Sequence, residues 1–204
     1  ESIKVWILGP LRDSAIIYFG GNAEDVYNNA PDFLSTLPEH TVYLVNYRGF
    51  GGSSGSPTQA NLFFDALNVY DALSPRHSRI SVIGRSLGSG IATYLASVRP
   101  VQRLILATPH DSALAIAQRM YPVYPVSILL KDKYESVEYA SRITAQTLII
   151  TAERDHVIPR KHSIRLAQAF APELVKQVVI ANAGHFGLAG YRQYWDEIEQ
   201  FLAL

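Results

Sequence analysis

The chain has 204 residues, 48% of them hydrophobic and 18% charged, enough to enclose one sizeable core and offset the entropy of ordering it, which excludes a disordered chain. Lys plus Arg and Asp plus Glu both number 18, so no net positive field exists to hold nucleic acid or anionic lipid. Cysteine is absent, which excludes disulfides, thiolate catalysis and cysteine metal sites and leaves the compartment open.

The chain begins at Glu1 without a methionine and runs at once into the apolar stretch Ile3 to Leu8, which reads as a strand. A signal, an anchor or a further strand is therefore expected upstream. No stretch approaches the roughly 18 apolar residues of a membrane-spanning helix, so this portion is expected to be soluble and to meet a membrane only through a segment before Glu1. Ala15 to Phe19 is the next strand and leads into Gly20-Gly21-Asn22-Ala23, small residues that let backbone approach a substrate oxygen. An ordinary glycine turn is the competing reading. Thr41 to Val45 follows as a strand, then Asn46-Tyr47-Arg48-Gly49-Phe50-Gly51-Gly52-Ser53-Ser54-Gly55. A nucleotide loop fails there, because Ser54 stands at the third glycine of G-x-G-x-x-G and no lysine follows; a tight loop bordering the site is expected instead. Leu62, Ala66, Leu67, Val69 and Tyr70 have helical spacing.

The strand Arg79 to Ile83 then enters Gly84-Arg85-Ser86-Leu87-Gly88, ahead of a helical run from Ile91 to Val98. This is G-x-S-x-G between strand and helix. So tight a turn needs residues without side chains two before and two after the serine. It holds the Ser86 hydroxyl above the sheet and leaves the Leu87 amide at a helix N-terminus, able to donate to an oxyanion. A plain turn with a helix-capping serine is the alternative.

Arg103 to Ala107 reads as a strand, and an irregular insertion from Asp111 to about Ala145 follows, interrupted by Tyr121, Pro122, Tyr124 and Pro125. It can form a small cap at most. Its Leu114, Ile116, Met120, Tyr121, Tyr124, Ile128 and Leu129 offer an apolar wall for an acyl chain, or else pack onto the sheet. The strand Thr147 to Thr151 passes through Ala152-Glu153-Arg154 to Asp155, and Pro159 opens a helix with Ile164, Leu166, Ala167 and Phe170. The strand Val175 to Ile180 leads to Asn182-Ala183-Gly184-His185-Phe186-Gly187, and a helix from Tyr191 to Leu204 closes the chain. Strands alternating with helices predict a single doubly wound α/β domain over residues 1–204, its sheet mostly parallel with helices on both faces.

A serine hydroxyl needs a base to take its proton and a carboxylate to orient that base. In the order serine, acid, histidine, the candidates for the base are His110, His156, His162 and His185. His185 is preferred because its glycine-flanked loop lies at the C-terminal edge of the sheet, where open α/β folds place ligands. Asp155 is preferred over its rival Asp111 as the acid, since the last strand but one lies beside the His185 loop. Glu153 and Asp132 read as solvated surface charge. The amides of Asn22 and Leu87 are the expected oxyanion donors, with Gly21 as fallback. No cofactor is indicated. His110 beside Asp111 and Asp155 beside His156 have neither an i, i+4 partner nor a third ligand, so no metal site is expected.

Together, Tyr18-Phe19-Gly20-Gly21-Asn22-Ala23, Asn46-Tyr47-Arg48-Gly49-Phe50-Gly51, the elbow at Ser86, the Tyr-Pro segment at Tyr121 to Pro125 and the Asp155 and His185 loops resemble the BEM46-like α/β-hydrolases, relatives of the ABHD13 and ABHD17 serine hydrolases. The resemblance covers nearly all of the chain. It implies a triad of Ser86, Asp155 and His185, a small or absent cap, and ester or thioester hydrolysis of a small-molecule or acylated substrate. Three positions depart from the pattern: Gly20 replaces a histidine, Asn46 an aspartate and Ala152 a glycine. Loss of the histidine is expected to loosen the oxyanion loop, and the sheet reads as short at its start, its first antiparallel strand lying upstream. A peptidase or amidase on the same fold and a non-catalytic binding protein are the other readings. The first usually carries a gating domain, and the second would have lost a triad group.

Overall fold

The computed structural model describes residues 1–120 and 123–203. Tyr121, Pro122, Leu204 and the side chain of Met120, all invoked above, lie outside the described residues. One sheet contains β1 Val5–Leu8, β2 Ser14–Phe19, β3 Thr41–Val45, β4 Arg79–Arg85, β5 Arg103–Ala107, β6 Gln146–Ala152 and β7 Val175–Ile180. Their order is β1-β3-β2-β4-β5-β6-β7. Every run read as a strand is one. The inner strands are apolar at consecutive positions because both faces are covered: Ala15, Ile17 and Phe19 enter one core layer, Ile16 and Tyr18 the other.

All neighbours are parallel except β1, which runs antiparallel to β3 with Val5 opposite Val45. The antiparallel strand expected upstream is thus present within the chain. A strand's own residues do not encode its direction relative to a neighbour, which is why Ile3 to Leu8 could be read as a strand and not as this one.

The helices are α1 Ala30–Thr36, α2 Gln59–Leu73, α3 Leu87–Val98, α4 Ala113–Met120, α5 Val126–Leu129, α6 Ser136–Ala140, α7 Arg160–Ala167 and α8 Arg192–Ala203. On one face α1 and α8 bury Phe33, Ile198 and Phe201; on the other α2, α3 and α7 bury Phe63, Leu95 and Leu166. The short α1, with Pro31 in its first turn and only Ala30 and Phe33 buried, lacks the repeat that announces the longer helices. The insertion divides: Ala140 of α6 and Ile143 join the core, while α4 and α5 pack on each other.

This topology places the site. Strands β2 and β4 are neighbours, Phe19 opposite Gly84, yet the chain leaves β2 for α1 on one face and β4 for α3 on the other. Diverging connections open a crevice at the C-terminal ends of the two strands, where open α/β sheets bind ligands.

Candidate active site

Ser86 sits between β4 and α3 with φ 51° and ψ −115°, a left-handed conformation that costs a non-glycine residue about 1–3 kcal/mol and persists only where packing enforces it. The enforcement is visible. A Cβ on Gly84 would lie 2.6 Å from Ala92 Cβ, and one on Gly88 would lie 2.6 Å from the Gly20 carbonyl oxygen and closer still to that of Phe19. With both glycines, the Gly88 amide donates to the Gly20 carbonyl at 3.1 Å and the Ser86 amide to the Ala107 carbonyl at 2.9 Å.

Ser86 Oγ is 3.0 Å from His185 Nε2, and His185 Nδ1 is 2.8 Å from Asp155 Oδ2. The other carboxylate oxygen, Oδ1, accepts the amides of Val157 at 3.0 Å and Ile158 at 2.7 Å. An acceptor at Nδ1 assigns the proton to that nitrogen, leaving Nε2 free to accept from the serine hydroxyl. The loops after β6 and β7 are tied together: the Arg154 amide donates to the Ala183 carbonyl at 2.8 Å, and Glu153 accepts the Asn182 amide at 2.8 Å. Glu153 and Asp132, expected to be solvated charge, both hold backbone, Asp132 taking the Gln59 amide at 2.8 Å.

Asp111 is buried elsewhere, 2.8 Å from His162 Nδ1 and 3.3 Å from Arg165. His110 is also buried; burial and the neighbouring His162 push its imidazole down to about 4, against a partial offset from Asp111, so it is neutral at physiological pH. Among the described residues, no three His, Asp or Glu side chains are placed to hold a metal ion.

Asn22, Ser86 and Leu87 line one groove. The Gly21 amide donates to Glu24 Oε2 at 2.5 Å, so that fallback donor is already engaged; among the described residues no hydrogen bond takes the amide of Asn22 or Leu87. Glu24 also accepts from Tyr18 Oη at 2.7 Å, Asn29 Nδ2 at 2.8 Å and Arg85 Nη1 at 2.5 Å. Burial alone would raise its carboxyl; the Arg85 guanidinium and these donors outweigh burial and hold it below the ordinary carboxylate value. Arg85 Nη2 reaches the His185 carbonyl at 3.3 Å, and Tyr47 Oη donates to the Gly20 carbonyl at 2.6 Å. The loop is therefore tied down despite Gly20, contrary to expectation. Sequence reasoning missed Glu24, Arg85, Tyr18 and Tyr47. Only Glu24 carries a signal, a carboxylate three residues after Gly21, where a side chain can close a turn onto an amide.

The groove encloses about 540 Å³, with Ala113, Ile116, Leu130 and Val157 among its walls. Ala117 and Leu130 also border an adjoining apolar groove of about 430 Å³ walled by Tyr124, Val126 and Leu129. Of the predicted wall, Ile116, Tyr124 and Leu129 face these grooves; Leu114 and Ile128 line neither. Ala113, Ala117 and Leu130, not singled out by the sequence, do. Of the chain after β3 it is Pro57 that lines the groove, just past the Asn46 to Gly55 loop expected to border it, and within that loop Arg48 holds Asp65 with bonds of 2.6 and 2.7 Å.

Residues 15–126 match the alpha/beta hydrolase fold family. An uncharacterized protein of Mycobacterium tuberculosis is 35% identical over 168 residues, covering 79% of this chain and 59% of the relative. Alpha/beta hydrolase domain-containing protein 17C of Xenopus tropicalis is 28% identical over 194 residues, 92% of this chain and 61% of the relative. The chain thus spans about three-fifths of the length of these relatives. The crystal structure of a monoacylglycerol lipase from Paleococcus ferrophilus superposes with a TM-score of 0.75 at 15% identity, covering 99% of this chain and 97% of that one. A mostly parallel sheet with a G-x-S-x-G elbow after β4 and a family match over more than half of its length make this chain a member of the alpha/beta hydrolase family.

Proposed function

We propose that the protein is a serine hydrolase that cleaves carboxylic esters or thioesters through an acyl-enzyme on Ser86. The observation that carries this reading is the unbroken path of 3.0 and 2.8 Å from Ser86 through His185 to Asp155, opening on an apolar groove. His185 Nε2 takes the Ser86 proton as Oγ attacks the carbonyl carbon, and the amides of Asn22 and Leu87 donate to the oxygen as it becomes an anion. Collapse of the tetrahedral species expels the alcohol or thiol, which takes its proton from His185. Water then repeats the sequence on the acyl-enzyme, giving up a proton to His185 and releasing the acid and free Ser86. The walls of Ala113, Ile116, Ala117, Leu130 and Val157 suit an acyl chain.

Labelling with a fluorophosphonate and turnover of p-nitrophenyl esters test the reading. Wild-type protein is expected to react in both assays, and Ser86→Ala, folded by circular dichroism, in neither. Undiminished labelling of that variant, or an inert folded wild type, overturns the assignment.

A further inference from the structure

We propose that the edge of the sheet bearing Ser86 docks on a lipid surface with anionic headgroups, so that an acyl chain passes from the lipid into the groove without crossing water. That an acyl chain is the cargo rests on the reading above; the docking stands on the surface itself. Val123 is 86% exposed, Ile128 81% and Leu129 64%, all in or beside α5. Beside the triad, Phe186 is 78% exposed, its ring 5.2 Å from that of His185, and Val157 on the groove wall is also exposed. These residues follow the C-terminal ends of the parallel strands β5, β6 and β7, so the topology gathers them on one edge. Apolar side chains scattered singly over a surface need no explanation; several that rim an apolar groove mark an interaction site.

The charge around this rim identifies the occupant. Although the chain is neutral overall, residues 119–135 and 153–161, which follow β5 and β6 at this edge, carry Arg119, Lys131, Lys133, Arg154, Arg160 and Lys161. The acids in these stretches outside the triad are fewer, Asp132, Glu135 and Glu153, and Asp132 and Glu153 each hold a backbone amide. Apolar side chains within a belt of cations suit a leaflet with anionic headgroups, each cation near the surface strengthening partitioning about fivefold. A second copy of the chain fits poorly, because a two-fold interface would set the same cations against each other.

Co-sedimentation with phosphatidylcholine vesicles, with and without phosphatidylglycerol, tests this. The chain is expected to bind the phosphatidylglycerol vesicles, and at least tenfold more weakly those of phosphatidylcholine alone. The double variants Val123→Ser with Ile128→Ser and Lys131→Glu with Arg160→Glu are each expected to lose at least tenfold in binding while keeping turnover of a water-soluble butyrate ester, since none of the four residues lines the groove. Ser86→Ala is expected to bind as wild type does, so an inert Ser86 would refute the hydrolase reading and leave docking intact. Absence of binding, or binding that ignores both double variants, overturns the proposal. So does a concentration-dependent dimer that the same substitutions disperse, which would assign the face to self-association.

Discussion

Asp155 and Asp111 carry the same group, and each lies 2.8 Å from the Nδ1 of a histidine. Only one of those histidines reaches a hydroxyl: His185 Nε2 meets Ser86, whereas His162 Nε2 has no partner among the described residues. Asp155→Asn is therefore expected to lower kcat for a p-nitrophenyl ester by about 10⁴-fold, because an amide there favours the wrong tautomer. Asp111→Asn is expected to keep kcat within a few-fold and to lose about 1–3 kcal/mol of stability in urea unfolding, since its buried carboxylate holds His162 and Arg165. Reversed effects on kcat would move the acid to Asp111. That Asp155 faces His185 was legible from its place after the last strand but one, beside the His185 loop. The yoke of Glu24 and Arg85 was not, because their positions lie 61 residues apart and nothing local to either announces the pairing.

At the scale of the element, the turn from β4 into α3 is the most constrained piece of chain. Gly88 packs against the backbone at the end of β2, and a methyl group there has only carbonyls to displace. Gly88→Ala is expected to cost at least about 2 kcal/mol in urea unfolding and to abolish fluorophosphonate labelling of whatever folds. Wild-type stability together with wild-type labelling would show that the elbow relaxes and that the glycine is dispensable. The strands were legible because runs such as Ile16-Ile17-Tyr18-Phe19 have no other stable use in a chain of this composition. α1 was not, since its fit depends on a sheet face and on α8, where Phe33 meets Trp195 edge to face at 5.2 Å.

At the scale of the molecule, Ala117 of α4 and Leu130 after α5 are, among the described residues, the side chains that border both grooves. An acyl chain longer than the first groove must pass this point. Ala117→Trp is therefore expected to lower kcat/KM for a dodecanoyl ester at least tenfold while leaving the butyryl ester within about threefold, by analogy with the loss when groups in an apolar pocket are misfitted. An equal fall for both esters would mean that the chain follows another route.

The sequence alone determined the strands, the alternation that makes the sheet mostly parallel, and the elbow around Ser86, because each depends on residues near one another in the chain. Periodicity sets which faces are apolar, and a tight turn sets where glycine must stand. Tertiary structure alone decided that β1 is the antiparallel edge, that Asp111 turns to His162, and that Glu24 and Arg85 brace the loop at Gly21. It also decided which side chains of the insertion face the groove. Each of these is a pairing between segments far apart in sequence, settled by which strand ends lie side by side, and no local pattern of residues contains that information.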